Sequence, residues 1–179
     1  GAIYHVTIRG NGQQRIFLDE QDRKRFVTRL AESVETYNVN LYLFSLMINH
    51  LHLVVETPDA NLGRFMQSVE TGYTVYFNLR HNRSGHVMQG RYGAKLVEGN
   101  EYLLNLSRYV HLNSVFTVVA KKLSLEERIQ YLRKYQWSSY PSYIGKRKQL
   151  DFIEYEPILG LMGGRKGQRA SRYREFVES

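Results

Sequence analysis

The stretch LYLFSLMINHLHLVVE, residues 41–56, decides the fold class of this chain. It contains two apolar runs, 41–48 and 50–56, with almost nothing between them. Apolar strands that follow each other this closely form an antiparallel pair with a tight connection, here around Ile48 and Asn49. Neither run approaches the ~18 consecutive apolar residues that a membrane span needs. We therefore expect a β-sheet at the centre of the chain and no membrane contact.

The elements on either side of this pair extend the pattern. In chain order we predict a strand over 2–9, a helix from the cap Asp19 to about 38, a helix opened by Pro58 and Asp59 that frays near 81–85, a strand over 90–98, and a helix over 101–113 capped by Asn100. The order β-α-β-β-α-β followed by a helix matches the ferredoxin-like split unit. The predicted fold class is therefore α+β, with a four-stranded antiparallel sheet and helices.

Charge divides the 179 residues into two parts. The chain carries 25 Lys and Arg against 17 Asp and Glu, which gives a net charge of +8. Residues 121–179 hold 13 basic and 7 acidic side chains, whereas residues 1–120 hold 12 and 10. A basic balance of this size favours a polyanionic partner, and nucleic acid is the first candidate. We predict a catalytic domain over 1–120 and a basic helical extension over 121–179 that packs on it or follows it.

The clearest candidate metal ligands are His50 and His52. Alternate residues of a strand share a face, so these two imidazoles project side by side. The pair is either half of a metal site or two partly exposed histidines, and its spacing leaves both readings open. The chain has no cysteine, so thiolate sites and disulfides are excluded and a third ligand would be an amide or a carboxylate. Such a ligand set favours Mg²⁺ or Mn²⁺ over a closed zinc site.

A candidate nucleophile emerges from the 14 tyrosines. Residues four apart on a helix share a face, so a tyrosine that works beside a metal would be helped by a ligand at that spacing. The residue four positions after each tyrosine is apolar, aromatic, Arg or Ser in every case but one. The exception is Tyr109, which is followed at that distance by Asn113.

The loop GNGQQR, residues 10–15, lies between the first strand and the first helix. It resembles a dinucleotide-binding fingerprint, but Arg15 occupies the third glycine position and the expected sheet is not parallel, so we reject a Rossmann site. Successive backbone amides together with Arg9 and Arg15 would bind DNA phosphates, and a plain flexible turn is the alternative.

Several separated motifs together carry a family resemblance. They are HLH at 50–52, YVHLN at 109–113, YHVTIRGN at 4–11, SGHVMQGRY at 84–92 and WSSY at 137–140. In this order the chain resembles the REP-associated tyrosine transposases, bacterial relatives of the single-tyrosine HUH transposases. The resemblance covers nearly the whole chain and implies a metal-dependent endonuclease that acts on single-stranded DNA at hairpins of repetitive extragenic palindromes.

The resemblance also implies roles for particular residues. Tyr109 matches the nucleophile that forms a 5′-phosphotyrosine, His50 and His52 match two metal ligands, and Asn113 matches the third. We also predict DNA contacts at residues in or next to the 10–15 loop and the SGHVMQGRY motif: Arg9, Asn11, Gln14, Arg15, Arg91 and Lys95. The chain departs from the usual pattern at Ile48 and Ser114, where relatives usually have proline, and at Gly93, where they often have lysine.

Two other function classes compete with this reading. The same split fold serves RNA-recognition modules, so a non-catalytic single-stranded nucleic-acid-binding module is the alternative. A metal-dependent nuclease that uses water instead of tyrosine is a third class. We expect a monomer rather than a dimer. The lack of cysteine fits a reducing compartment, and with the resemblance it implies a cytoplasmic, nucleoid-associated bacterial protein.

Overall fold

The computed structural model describes the backbone of residues 1–179 and every side chain except that of Val118. The described residues form four strands, β1 (Ala2–Arg9), β2 (Asn40–Leu46), β3 (His50–Thr57) and β4 (Gly93–Val97). They also form eight α-helices: α1 (Glu20–Thr36), α2 (Leu62–Arg80), α3 (Asn100–Leu112), α4 (Val118–Lys121), α5 (Leu125–Lys134), α6 (Tyr140–Tyr143), α7 (Glu156–Leu159) and α8 (Arg169–Glu178). The strands lie in the order β2-β3-β1-β4, and every neighbouring pair is antiparallel. The predicted α+β, ferredoxin-like fold is confirmed.

The tight connection between β2 and β3 begins earlier than predicted. β2 ends at Leu46 instead of at Ile48, and the Met47 amide donates to the His50 carbonyl at 2.9 Å. The Ile48 carbonyl is turned outward and accepts from the Ile16 amide at 2.9 Å. The Ile48 carbonyl is therefore bonded to the loop before α1 instead of to a neighbouring strand.

The last strand begins later than predicted. The Gln89 amide donates to the Arg9 carbonyl at 2.8 Å, so pairing with the end of β1 starts before β4. Gly90 then adopts a φ of +53°, a left-handed conformation that glycine tolerates but a regular strand does not contain. The ladder resumes only at Gly93, where β4 starts.

The first two long helices differ in how well the sequence predicts their starts. Asp19 caps α1 as predicted, since its side chain accepts from the Asp22 amide at 3.1 Å. Helix α2 begins at Leu62 and not at Pro58. Ala60 lies between them with a φ of +51°, which interrupts any helix that starts at the proline.

Helix α3 also begins one position away from the prediction. Gly99 is its capping residue, with a φ of +88°, and Asn100 is the first residue of the helix instead of its cap. A side chain at position 99 would be strained in this conformation, so the glycine sets where the helix starts.

The two faces of the sheet have different characters. Paired residues share a face, so Arg9 lies beside His50, and Thr7 beside His52. The opposite face carries Leu51, Leu53 and Val55, all fully buried, beneath the packed helices α1 and α2. Helix α3 covers the histidine face. The site therefore lies between the sheet and α3, away from the main apolar layer.

The C-terminal segment, residues 121–179, covers the outer edge of β2. Three backbone hydrogen bonds join them, from Leu46 to the Trp137 carbonyl (2.8 Å), from Ser139 to the Phe44 carbonyl (3.0 Å) and from Glu154 to the Leu41 carbonyl (2.8 Å). Such pairing satisfies backbone groups that an open sheet edge would leave exposed. Residues of α6, α7 and α8 also belong to the same hydrophobic core as the sheet.

Candidate active site

Strand β3 places His50 and His52 on one face, as the alternation predicts. Their ring centroids lie 5.4 Å apart and their planes are nearly perpendicular, at 89°. His52 is buried and His50 is half-buried. Burial lowers the pKa of both rings, to about 3 for His52. Both histidines are therefore neutral near pH 7, which is the form that binds metal ions.

His52 is engaged at one nitrogen only. Its Nδ1 lies 2.9 Å from His5 Nε2 and 3.4 Å from Thr7 Oγ1. Among the described residues, no group forms a hydrogen bond to His52 Nε2. This nitrogen is therefore available for a ligand.

His50 lies between two amide oxygens. Its Nδ1 is 2.9 Å from Asn49 Oδ1, and its Nε2 is 3.0 Å from Asn113 Oδ1. A neutral imidazole carries one N–H and can donate to only one of these oxygens. Burial lowers the pKa of His50, so the ring is neutral and one of its nitrogens presents a lone pair to an asparagine side chain. That lone pair can accept from an amide N–H or bind a cation.

Helix α3 brings Tyr109 and Asn113 to the two histidines. The ring of Tyr109 lies 5.8 Å from that of His52, edge to face, and its side chain is 48% exposed. Asn113 ends the helix and is 8% exposed, with its oxygen on His50. The four-residue spacing therefore places the tyrosine on the open side of the site and the amide on the buried side.

One pair of these side chains has the separation expected of two ligands of one divalent metal ion. Two ligand atoms ~2.1 Å from one octahedral ion, at right angles to each other, are ~3.0 Å apart. His50 Nε2 and Asn113 Oδ1 have this separation. Within the described residues, no three histidine, cysteine or carboxylate side chains converge on one point. A metal here would therefore need the Asn113 amide in addition to His50 and His52.

His111 fixes α3 from the opposite side. It lies between Tyr109 and Asn113 in the helix but is fully buried. Its Nδ1 is 2.7 Å from Tyr173 Oη, and its Nε2 is 2.7 Å from Ser139 Oγ. Both partners belong to the C-terminal segment, so this segment sets the position of the helix that carries the site.

A cationic groove of about 750 Å³ opens on the tyrosine side of the site. His52 and Tyr109 form part of its wall, and Arg9, Arg91 and Lys95 supply its charge. The structure therefore brings three of the six predicted DNA contacts to the predicted nucleophile.

A second, apolar groove of about 570 Å³ opens on the other side of His50 and Asn113. Ile48 and Phe116 line it and are half-exposed. Arg15, a fourth predicted DNA contact, lies at this groove. The site therefore separates a charged surface from an apolar surface.

The other two predicted DNA contacts lie elsewhere. Asn11 and Gln14 are exposed and line neither groove. They belong to a short turn in which the Gln14 amide donates to the Asn11 carbonyl at 3.1 Å. The structure does not bring them to the site.

Sequence reasoning missed four residues at the site. His5 is far from the other histidines in sequence, so spacing did not connect it with them, yet it contacts His52. Thr7, Asn49 and Phe116 were also missed. The alternation of β1 contained a signal for the first two, since His5 and Thr7 share a face with Arg9. No local pattern indicated Phe116.

The sheet order, the strand with two histidines and the helix with its tyrosine match the arrangement that the resemblance to the single-tyrosine transposases implies. The solved structure of a REP-associated tyrosine transposase bound to a REP hairpin is similar, with a TM-score of 0.64, 9% identity and coverage of 92% of each chain. A putative transposase from Deinococcus radiodurans R1 matches at a TM-score of 0.46, with 14% identity over 60% of this chain and 87% of that chain. The first similarity confirms the fold of the class.

The family model described as "Transposase IS200 like" matches residues 1–113, and the chain belongs to this family. It is therefore a transposase-like enzyme of the kind that acts on single-stranded DNA. Proteins of this family are generally metal-dependent. No curated protein matches the chain. Among the described residues, no helix is both long and apolar enough to cross a membrane.

Proposed function

We propose that the protein cleaves and rejoins single-stranded DNA beside a hairpin, with Tyr109 as the nucleophile and a metal held by His50, His52 and Asn113. One observation carries this proposal. Helix α3 and strand β3 bring the tyrosine, two neutral imidazoles and an amide side chain together. His50 Nε2 lies 3.0 Å from Asn113 Oδ1.

The ligand set favours Mg²⁺ or Mn²⁺, because it combines imidazole and amide groups without thiolate. When bound, such an ion neutralises charge on the phosphate oxygens and orients the phosphorus toward the nucleophile. The protein supplies the fixed positions. Asn113 is held at the end of α3, and His50 is oriented by Asn49.

Tyr109 supplies the covalent chemistry. Its oxygen forms a bond to phosphorus as the bond from phosphorus to the 3′ oxygen breaks, and this oxygen leaves as a hydroxyl group. A phenol has a pKa of ~10 and is a better leaving group than an aliphatic alcohol, so a 3′-hydroxyl can reverse the step. Because Tyr109 is half-exposed, water accepts the proton of its hydroxyl group and supplies the proton that the leaving 3′ oxygen gains.

The two grooves give the DNA a path through the site. Arg9, Arg91 and Lys95 in the cationic groove would hold backbone phosphates on one side of the scissile bond. Phe116 in the apolar groove would stack with an unpaired base on the other side. A duplex would not present an unstacked base, so this path favours single-stranded DNA.

A hairpin is the proposed partner because the similar solved structure contains one, and because the extension is strongly basic. We also propose the functional division into a catalytic part over 1–120 and an extension over 121–179. The extension binds the β2 edge and positions α3 through His111. Removing it would therefore disturb the catalytic part as well as DNA binding.

The nucleophile is tested with hairpin oligonucleotides that carry single-stranded flanks, in Mg²⁺ or Mn²⁺. We expect a denaturation-resistant protein–DNA adduct, which mass spectrometry locates at Tyr109. The Tyr109→Phe variant should bind DNA but form no adduct. Tyr102→Phe is a matched control, since Tyr102 is on the same helix and is 47% exposed, compared with 48% for Tyr109. Adduct formation by Tyr109→Phe, or cleavage without any adduct, would contradict the proposal.

The metal ligands are tested separately. His50→Ala and His52→Ala should abolish cleavage and leave hairpin binding nearly unchanged, because the cationic groove remains. Asn113→Ala should have a milder effect, since water can take the place of one amide ligand. Wild-type cleavage by either histidine variant would show that the metal assignment is wrong.

A further inference from the structure

We propose that His5 is a positioning residue that holds His52 in the tautomer with its proton on Nδ1, so that Nε2 stays free to bind the metal. This inference rests on the proposed function, because it assigns His52 as a metal ligand. It adds a residue that is far from the metal ligands in sequence and that supplies no ligand atom itself.

The contact between the two histidines is direct and well ordered by the sheet. His5 Nε2 lies 2.9 Å from His52 Nδ1. The two ring planes are close to parallel, at 22°, and their centroids are 5.1 Å apart, so the rings meet edge to edge through this contact. In the register of β1 and β3, Thr7 is opposite His52 and His5 is its diagonal neighbour on the same face.

A hydrogen bond at one ring nitrogen determines the protonation of the other. A neutral imidazole has two tautomers, and only the nitrogen without a proton binds a metal. If His52 Nδ1 donates to His5 Nε2, the proton is kept on Nδ1 and Nε2 is left as a ligand. Thr7 Oγ1 is a weaker second acceptor, because its distance to Nδ1 is 3.4 Å. Without His5, the proton on Nε2 becomes the competing state.

The contact engages His5 Nε2 with His52 Nδ1, so this nitrogen of His5 supplies no ligand in this arrangement. Metal-binding histidines commonly have such a partner on the second nitrogen, and loss of the partner typically weakens metal affinity 10- to 100-fold.

Two variants separate the hydrogen bond from the packing. His5→Phe keeps an aromatic ring packed beside His52 but removes the acceptor. His5→Gln removes the ring but keeps an acceptor oxygen. If the hydrogen bond matters, the Phe variant loses metal affinity and the Gln variant keeps it. If only the packing of a ring matters, the order is reversed. His86→Phe is the matched control, because His86 is exposed and lies outside both grooves.

The first measurement is the tautomer of His52 in the full chain without metal, read from the side-chain ¹⁵N resonances. The chain contains only six histidines, which makes assignment practical. We expect His52 with its proton on Nδ1 in the wild-type protein and in His86→Phe, and a mixture of tautomers in His5→Phe. A wild-type His52 with its proton on Nε2 would overturn the inference, even if the Phe variant does not fold.

The second measurement is Mn²⁺ affinity by calorimetry. We expect His5→Phe to bind Mn²⁺ about 10- to 100-fold more weakly than the wild type, and His5→Gln to bind within about threefold. Wild-type affinity in the Phe variant, or a metal-induced shift of the His5 nitrogens equal to that of His52, would overturn the inference. If the wild type binds Mn²⁺ but forms no Tyr109 adduct, the proposed function fails while the positioning role stands.

Discussion

Replacing His111 tests how the C-terminal segment holds the helix that carries the site. This ring is fully buried, and its two nitrogens bond to Tyr173 and Ser139 at 2.7 Å each. His111→Gln removes the titrating group and keeps hydrogen-bonding capacity. His111→Phe removes both.

Burial lowers the pKa of His111 from 6.5 to about 3 in the folded protein. Between pH 6.5 and pH 3, His111 therefore binds a proton in the unfolded chain but not in the folded protein. The free energy of unfolding falls as the pH decreases from 6.5 toward 3, by ~1.4 kcal/mol per pH unit for this group. Between pH 7 and pH 4 the loss from His111 alone is about 3 kcal/mol.

Urea denaturation of the wild type and both variants at pH 7 and pH 4 measures this contribution. At pH 7, His111→Phe should lower the free energy of unfolding by about 2 kcal/mol, because two buried hydrogen bonds are lost. Between the two pH values, both variants should lose about 3 kcal/mol less stability than the wild type. Other histidines titrate in all three proteins and cancel in this comparison. Equal losses in the wild type and His111→Gln would refute the reasoning.

Three further predictions concern the grooves and one buried carboxyl group. Phe116→Ala should weaken binding of a hairpin with single-stranded flanks by ~1–3 kcal/mol, measured by fluorescence anisotropy. It should not affect a hairpin without flanks, and the exposed control Leu79→Ala should affect neither DNA. Equal losses on both DNAs would argue against base stacking. Arg91→Ala should reduce the slope of log affinity against log salt by ~0.7, and an unchanged slope would remove this side chain from the phosphate contacts. Burial raises the pKa of Glu70 from 4.5 to about 7, so the ionised carboxylate destabilises the folded protein above pH 7, whereas the protonated form does not below pH 4.5. Glu70→Gln should therefore raise the melting temperature at pH 8 by the equivalent of ~1–2 kcal/mol, but not at pH 4. A gain at both pH values would point to another cause.

Local periodicity was sufficient for much of the fold and for the central pairs of the site. Strand alternation placed His50 and His52 on one face, and helical spacing placed Tyr109 and Asn113 on another. These predictions succeed because residues two apart in a strand, or four apart in a helix, are neighbours in any tertiary structure. The same patterns misplaced the starts of α2, β4 and α3, because Ala60, Gly90 and Gly99 adopt positive φ values that sequence patterns do not predict.

Contacts between distant parts of the chain were decided only by the tertiary structure. The pairing of β1 with β3 brings His5 to His52, and α3 joins its asparagine to His50 across the site. The C-terminal segment, predicted as a basic extension that packs on the catalytic domain or follows it, completes the β2 edge and binds His111. A sequence determines which side chains share a face of one element. Which faces meet depends on strand register and helix packing, because these bury side chains that are far apart along the chain.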